Sequence, residues 1–258
     1  MIDVLLLTFG SLVWLIIMFA PLERAFPARR GQRFFRRAFW TDLLFFLGQY
    51  FVFGLIAVTA LTWVTGLFSE VSFLAPARQT FGALPLAAQV VIVVLGGDFL
   101  MYWGHRLQHH NDFLWRFHSI HHTSEEIDWL AAHREHPLDG VYTQLWMNLP
   151  AILLGMQVGE VMGVIAFRSL WAIFIHSNVS LPVGPLKYLF GSPRLHHWHH
   201  AKERDVGNYA NLAPWLDVLF GTFFWRDVEP DELGIHEELP KGYLGLLLAP
   251  FKRRFTQS

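Results

Sequence analysis

The sequence predicts an all-α polytopic membrane protein: about three to four membrane spans plus a re-entrant hairpin, topped on the cytoplasmic face by a helical cap that carries a histidine cluster. Three observations predict it. The composition is 53% hydrophobic, with 24 Phe and 11 Trp, which points to a membrane. The apolar residues fall in long, nearly uncharged stretches, the mark of helices that face lipid. And 13 of the 14 histidines lie between His105 and His200, most of them in three tight groups. A net charge of only -1 gives no electrostatic case for nucleic acid. The absence of cysteine excludes disulfides, thiolate ligands and cysteine nucleophiles.

Residues 4–21 are long enough for a first membrane helix. A signal peptide is disfavoured, because no basic region precedes the stretch and no small-x-small site precedes Glu23. The following segment carries Arg24, Arg29, Arg30, Arg33, Arg36 and Arg37, and positive-inside bias puts this loop in the cytoplasm. Residues 41–68 form a second apolar stretch; residues 69–85, with Pro76 and Pro85, read as an outer loop. A third span begins near Leu86 and is expected to run past the bilayer, so that Asp98, Tyr102, His105 and His109 share nearly one face. An acid at the depth of Asp98 is costly, so it is expected to orient a ligand or to make a helix-packing hydrogen bond. Residues 111–140 are more polar and belong outside the bilayer, with Thr123 to Glu126 reading as a helix cap and first turn. Two apolar stretches, 141–156 and 158–176, flank a break from Gln157 to Glu160. Each is short for a full crossing, so a hairpin re-entering from the cytoplasmic side is expected, returning His176 to the side of the other histidines. Arg168 within it is expected to pair with an acid or to face the site. The Trp and Tyr between Leu181 and Trp225 suit the membrane interface. The tail from Leu244 is too short to span and reads as an interfacial segment ending in Lys252, Arg253 and Arg254.

The histidine spacings carry the chemistry. His105 and His109 are four apart; His118, His121 and His122 form H-x-x-H-H; His196, His199 and His200 form a second. Residues three or four apart share a helix face, so each group can present two or three imidazoles in one direction. Neutral imidazole is the commonest metal-ligating side chain. Eight such histidines exceed the three or four ligands of a typical zinc site; with the single residues His136 and His176 the total is ten, which points to two metal ions. A metal-buffering tract is the bland alternative, but it would be low in complexity, and these groups interleave Trp, Leu and Ile as packed helices do. The zinc-hydrolase pattern H-E-x-x-H is absent.

These three motifs, with Asp98-Phe-Leu-Met-Tyr-Trp-Gly-His105-Arg106, Leu114-Trp-Arg-Phe-His118, Arg134-Glu-His136-Pro137-Leu-Asp139, Ser192-Pro-Arg-Leu-His196 and the run from Asn208 through Asp217 to Thr222, resemble the fatty acid hydroxylase/sterol desaturase superfamily of membrane-bound di-iron enzymes. The resemblance covers roughly residues 90 to 225. It implies iron where spacing alone implies only metal, and it implies His105, His109, His118, His121, His122, His136, His176, His196, His199 and His200 as ligands. His136 and His176 enter through the family's His-Pro and His-Ser-Asn elements. Asp98, His133, His197, Asn178 and Asp217 are expected around the ligands; His110, with His133 and His197, is left over from the motifs. The chain is read as a single membrane-embedded domain over 1–258, with N-terminal membrane helices in 1–90, the catalytic region in 91–225 and an interfacial tail in 226–258.

The implied activity is an O2-dependent monooxygenase that hydroxylates the alkyl part of a lipid, sterol or carotenoid-like substrate. The implied cofactor is two iron ions, which zinc can replace in a purified sample. Oxidising an unactivated C–H bond needs a redox metal, and zinc has no redox chemistry. Electrons are expected from a separate donor of the cytochrome b5, ferredoxin or flavoprotein type, docked by the basic loop or tail. Desaturation by the same site is the alternative. A non-catalytic metal-binding or transport protein is the alternative of another class; a transporter would place ligands in paired broken helices along a path across the bilayer, whereas here they gather at one face.

Overall fold

Long apolar stretches become long helices, because a backbone in lipid must satisfy its own hydrogen bonds. The computed structural model describes residues 2–156 and 158–252; Gln157, Arg253 and Arg254 lie outside these. Among the described residues the regular structure is helical, with only two isolated β-bridges, Pro27 to Val179 and Ala201 to Leu233. In chain order the helices are α1 (Ile2–Ala25), α2 (Phe39–Gly48), α3 (Gly54–Ser69), α4 (Ala75–Gly82), α5 (Leu86–His110), α6 (Asp112–His122), α7 (Pro137–Leu154), α8 (Val158–His176), α9 (Pro193–His199), α10 (Trp215–Leu219) and α11 (Tyr243–Lys252). A π-helical turn, Gln49–Phe53, joins α2 to α3 without a break.

Among the described residues four stretches are long and apolar enough to cross a membrane: Val4–Ala25, Phe39–Ser69, Leu86–His110 and Gly159–His176. The last differs from expectation. The 19 residues of α8 reach about 28 Å, against a hydrocarbon core of about 30 Å. Bulky apolar side chains such as Leu7, Leu55 and Trp63 stand exposed on the outer faces of α1 and α3, far more than a water-facing surface carries.

The helices converge at one end on a polar layer. Glu23 near the end of α1 accepts from the amides of Trp129 and Asn178. Asp42 at the start of α2 binds Arg134, and α5, α6, α8 and α9 all end in histidines of one cluster. At the opposite end Arg78 on α4 donates to the carbonyls of Phe68 and Leu153, tying α3 to the far end of α7. Gly155, with φ +80°, turns the chain from α7 into α8, a conformation that suits glycine. Helices α5 and α7 pack closely because α5 offers no side chain at Gly97 and Gly104. A Cβ at Gly97 would strike the Met147 carbonyl and the Arg168 guanidinium; one at Gly104 would lie 3.0 Å from Trp146.

Two local expectations give way to tertiary contacts. Thr123 does not open a helix; it ends α6, with its hydroxyl bonded to the Ile120 carbonyl and receiving Arg134. The cap downstream is Asp128, whose carboxylate accepts the amides of Leu130 and Ala131. And the basic loop is not uniformly free. Arg24, Arg30, Arg33 and Arg37 are exposed, but Arg36 is buried between Asp42 and Asp128 at 2.6 Å from each.

Candidate metal centre

Each H-x-x-H-H motif divides its imidazoles between two sites. At 100° per residue, the side chains at i+3 and i+4 point to opposite sides of the one at i. On α6, His118 and His122 join one group and His121 the other; on α9 and its cap, His196 and His200 join one group and His199 the other. The expectation that each motif points one way is corrected by this crossing. The first group is His105, His109, His118, His122 and His199; the second is His121, His176, His196 and His200. Within each group the potential ligand atoms lie within 4.8 Å of one another. The groups abut, with the His122 and His200 rings stacked at 4.2 Å.

Six ring orientations are fixed by acceptors at Nδ1. His105 donates to the Tyr209 carbonyl at 2.8 Å, His109 to Arg204 at 2.5 Å, and His199 to Gly207 at 2.8 Å. His121 donates to the Arg134 carbonyl at 3.0 Å and His176 to Ala172 at 2.6 Å, while His118 donates to the Asp139 carboxylate at 3.0 Å. A carbonyl only accepts, so the proton sits on Nδ1 and Nε2 is a bare lone pair. Yet Nε2 of His105 lies 3.1 Å from Nε2 of His118, and Nε2 of His121 lies 2.9 Å from Nε2 of His176. Two such lone pairs repel. Protonation does not relieve them. Burial holds His118 down at about 3, and burial with the His118 charge holds His121 at about 4. Burial likewise places His122, His196, His199 and His200 well below the usual imidazole range. In addition, Nε2 of His109 and of His199 are buried without a hydrogen-bond partner among the described residues. A cation about 2.1 Å from each nitrogen would separate neighbouring donors by about 3.0 to 3.4 Å, close to these spacings. The donor set therefore fits metal in both groups.

Of the ten histidines expected as ligands, the structure brings nine together. His136 stands apart: its Nδ1 accepts from the Leu138 amide at 3.1 Å as the cap of α7, and its Nε2 lies 3.3 Å from the Leu247 carbonyl of α11. Asp98 and Asp217 meet no imidazole. Asp98 accepts the amides of Leu212 and Ala213, and Asp217 those of Tyr209 and Ala210. Together they shape the loop whose carbonyls orient His105 and His199. At Gly207, φ is +98° and a Cβ would strike the Thr222 carbonyl, so glycine is required there. Asn178 ties α8 to the Arg29 backbone; His197 lies between Glu229 and the Ser177 carbonyl; His110 is exposed beside Asp205; and His133 bonds Gln49.

Asp139 was within reach of the sequence, as the acid three residues past His136 in the first turn of α7, but its partner His118 is 21 positions away. Burial pushes its carboxyl up from the usual carboxylate range, and its oxygens accept from His118 Nδ1 at 3.0 Å and from the Gln108 amide at 2.5 Å. Asp139→Asn is expected to weaken metal at the five-histidine group by about 10–100-fold, read as release during a chelator titration. Unchanged release would mean that packing alone orients His118.

A cavity of about 500 Å³ reaches this centre. Its walls come from α3, the π turn, α7 and α8, and His105, His118, His121, His176 and His196 line its inner end. Val58, Met162 and Phe167 line it and also stand on the outer surface, so the cavity borders the face that lipid would cover.

The model of the fatty acid hydroxylase family matches residues 90–222. An ornithine lipid hydroxylase, OlsE of Rhizobium tropici, is 35% identical over 66% of this chain and 52% of its own. Human alkylglycerol monooxygenase is 33% identical over 50% of this chain and 29% of its own, and rat methylsterol monooxygenase 1 is 31% identical over 47% and 41%. The chain thus spans about half the length of the first of these relatives and less of the other two. No solved structure matches it.

Proposed function

The chain belongs to the fatty acid hydroxylase family, and from that premise we propose that it is a membrane-bound di-iron monooxygenase that hydroxylates the alkyl part of a lipid. The observation that carries this reading is the pair of facing lone-pair nitrogens, His105 with His118 and His121 with His176, at the inner end of one apolar cavity. Five histidines would hold one iron and four the other, with His136 outside the set. Bound there, iron supplies the redox chemistry that inserts one atom of O2 into a C–H bond and reduces the other to water with two electrons and two protons. The chain's own residues do the rest. Nδ1 acceptors fix six of the nine rings before metal arrives, burial keeps the rings neutral and ligating, and the apolar walls exclude water and position an alkyl chain.

The names of the relatives (ornithine lipid, alkylglycerol and methylsterol) support a lipid or sterol substrate. We read residues 1–258 as one membrane-embedded domain, with α7–α8 as a hairpin that leaves the histidine layer and returns to it. The exposed Arg30, Arg33 and Arg37 support a cytoplasmic histidine layer and a docking face for an acidic electron donor of the cytochrome b5, ferredoxin or flavoprotein type. Iron content and Mössbauer spectra of detergent-purified protein grown on iron-57 test the proposal. About two exchange-coupled irons per chain, with lipid-dependent O2 consumption, are expected. Metal that is absent, or unchanged when His121 and His199 both become Ala, would overturn it.

A further inference from the structure

The cavity is apolar along most of its wall, and one cluster of its polar side chains, Gln49, His133 and Glu135, belongs to neither histidine group. It forms where the π turn meets the segment before α7. Gln49, the first residue of the π turn, accepts the Nδ1 proton of His133 on its Oε1 at 2.8 Å and directs its amide nitrogen toward Glu135 Oε2 at 3.5 Å. All three residues line the cavity. Helix α7 makes room for the carboxyl at Gly140, where a Cβ would lie 2.9 Å from Glu135 Oε2. The Thr143 hydroxyl, one turn further on, also bonds that carboxyl. Because His133 donates from Nδ1, its Nε2 is a lone pair, and this atom is buried with no hydrogen-bond partner among the described residues. A buried acceptor without a donor is costly, and a carboxyl beside a lipid-bordering cavity is costlier. Neither group serves the metal: His133 and Glu135 belong to neither histidine group. Nor does packing require them, since an aliphatic residue would fill an apolar wall better. What the cluster offers is the Glu135 carboxyl and the Gln49 amide in the cavity wall, with the unpartnered His133 Nε2 buried behind them.

We propose that Gln49, His133 and Glu135 form a recognition station for a hydrogen-bond donor on the substrate, a hydroxyl or an amide N–H borne by the lipid. By holding that group, the station fixes which carbon of the alkyl part reaches the histidine layer. The inference rests on the reading of the cavity as the lipid site. It makes the substrate class narrower: a lipid with a polar donor near the reacting segment, not a plain hydrocarbon or an ether lacking such a donor. A site built to bond a hydroxyl discriminates strongly against the analogue that lacks it, because its own polar groups are left unpaired.

The test uses the full-length, detergent-purified chain and measures binding, not turnover. Tritiated 1-hexadecanol in mixed micelles is displaced by unlabelled 1-hexadecanol or by its methyl ether, which has the same chain but no donor. The alcohol is expected to compete about 10-fold better or more against the unaltered protein. In His133→Phe and in Glu135→Leu the two competitors are expected to converge to within about threefold, with affinity for the ether nearly unchanged. Gln49→Leu, which alters a partly exposed residue, supplies the same comparison if either variant fails to elute as folded protein. Equal competition in the unaltered chain, or a preference that survives all the variants, would overturn the station. Iron content is measured on the same samples. A preparation with no iron but a clear alcohol preference would remove the oxygenase reading and leave the station standing, whereas full iron with no preference would do the reverse.

Discussion

His121→Ala is expected to reduce iron from about two per chain to about one and to abolish hydroxylation, whereas His122→Ala, one residue further on, is expected to retain most of its metal. The two side chains differ by 100° around α6, and that rotation assigns them to different groups. His121 belongs to the set of four with His176, His196 and His200, so its loss leaves three ligands. His122 belongs to the set of five, so its loss leaves four, as many as the other group has intact. The activity loss in His121→Ala should exceed the 10–100-fold typical of removing a residue that merely orients a ligand. Elemental analysis of both variants, with Mössbauer spectra to assign the remaining iron, makes the comparison. Equal losses in the two would mean that the motif is not divided as the rings indicate.

This division shows where the sequence stops being informative. The i, i+3, i+4 spacing suits metal ligands and suits a helix, and α6 and α9 carry it as helices. It leaves open which imidazole serves which ion, because that depends on how each helix rolls against its neighbours. Trp115 and Ile120 are fully buried on α6, and Leu195 on α9; these packing faces set the roll. The same limit explains Asp98. Two turns before His105 it looked like a direct partner of a ligand, but its acceptors are taken by amides 114 and 115 positions later in the chain. The carbonyls that fix five of the imidazoles come from the backbone and leave no trace in residue identity. His136 was carried by its His-Pro setting, and that setting has a simpler local meaning: proline at the first position of α7 and a side chain that caps it. The long apolar stretches, by contrast, were legible almost residue by residue, since in lipid a helix is the only open solution for a single segment. Thr123 failed because Arg134, 11 positions away, uses its hydroxyl.

The strongest stability effect is expected at Asp42. Its carboxylate sits between two guanidiniums, Arg36 at 2.6 Å and Arg134 at 2.5 Å, with its side chain fully buried. Asp42→Leu leaves two buried cations facing each other with only Asp128 to balance Arg36. Breaking a buried charge pair by removing one partner costs about 3–5 kcal/mol, so the unfolding midpoint in detergent should fall by more than for any single apolar truncation on the lipid-facing surface. The damage should not stop at stability. Arg134 supplies the carbonyl that orients His121, and its guanidinium is what Asp42 holds. Iron should therefore be lost first from the four-histidine group, and His121→Ala should add little further metal loss in the Asp42→Leu background, because the two changes act on one site. The cluster is also separable by design. Replacing Arg36, Asp42, Arg134 and Asp128 together with apolar residues of similar volume removes every unpaired charge and should recover much of the midpoint. A quadruple variant that recovers the midpoint but not the iron would show that the ion cluster positions His121; recovery of both would show that the backbone at Arg134 is held by packing alone.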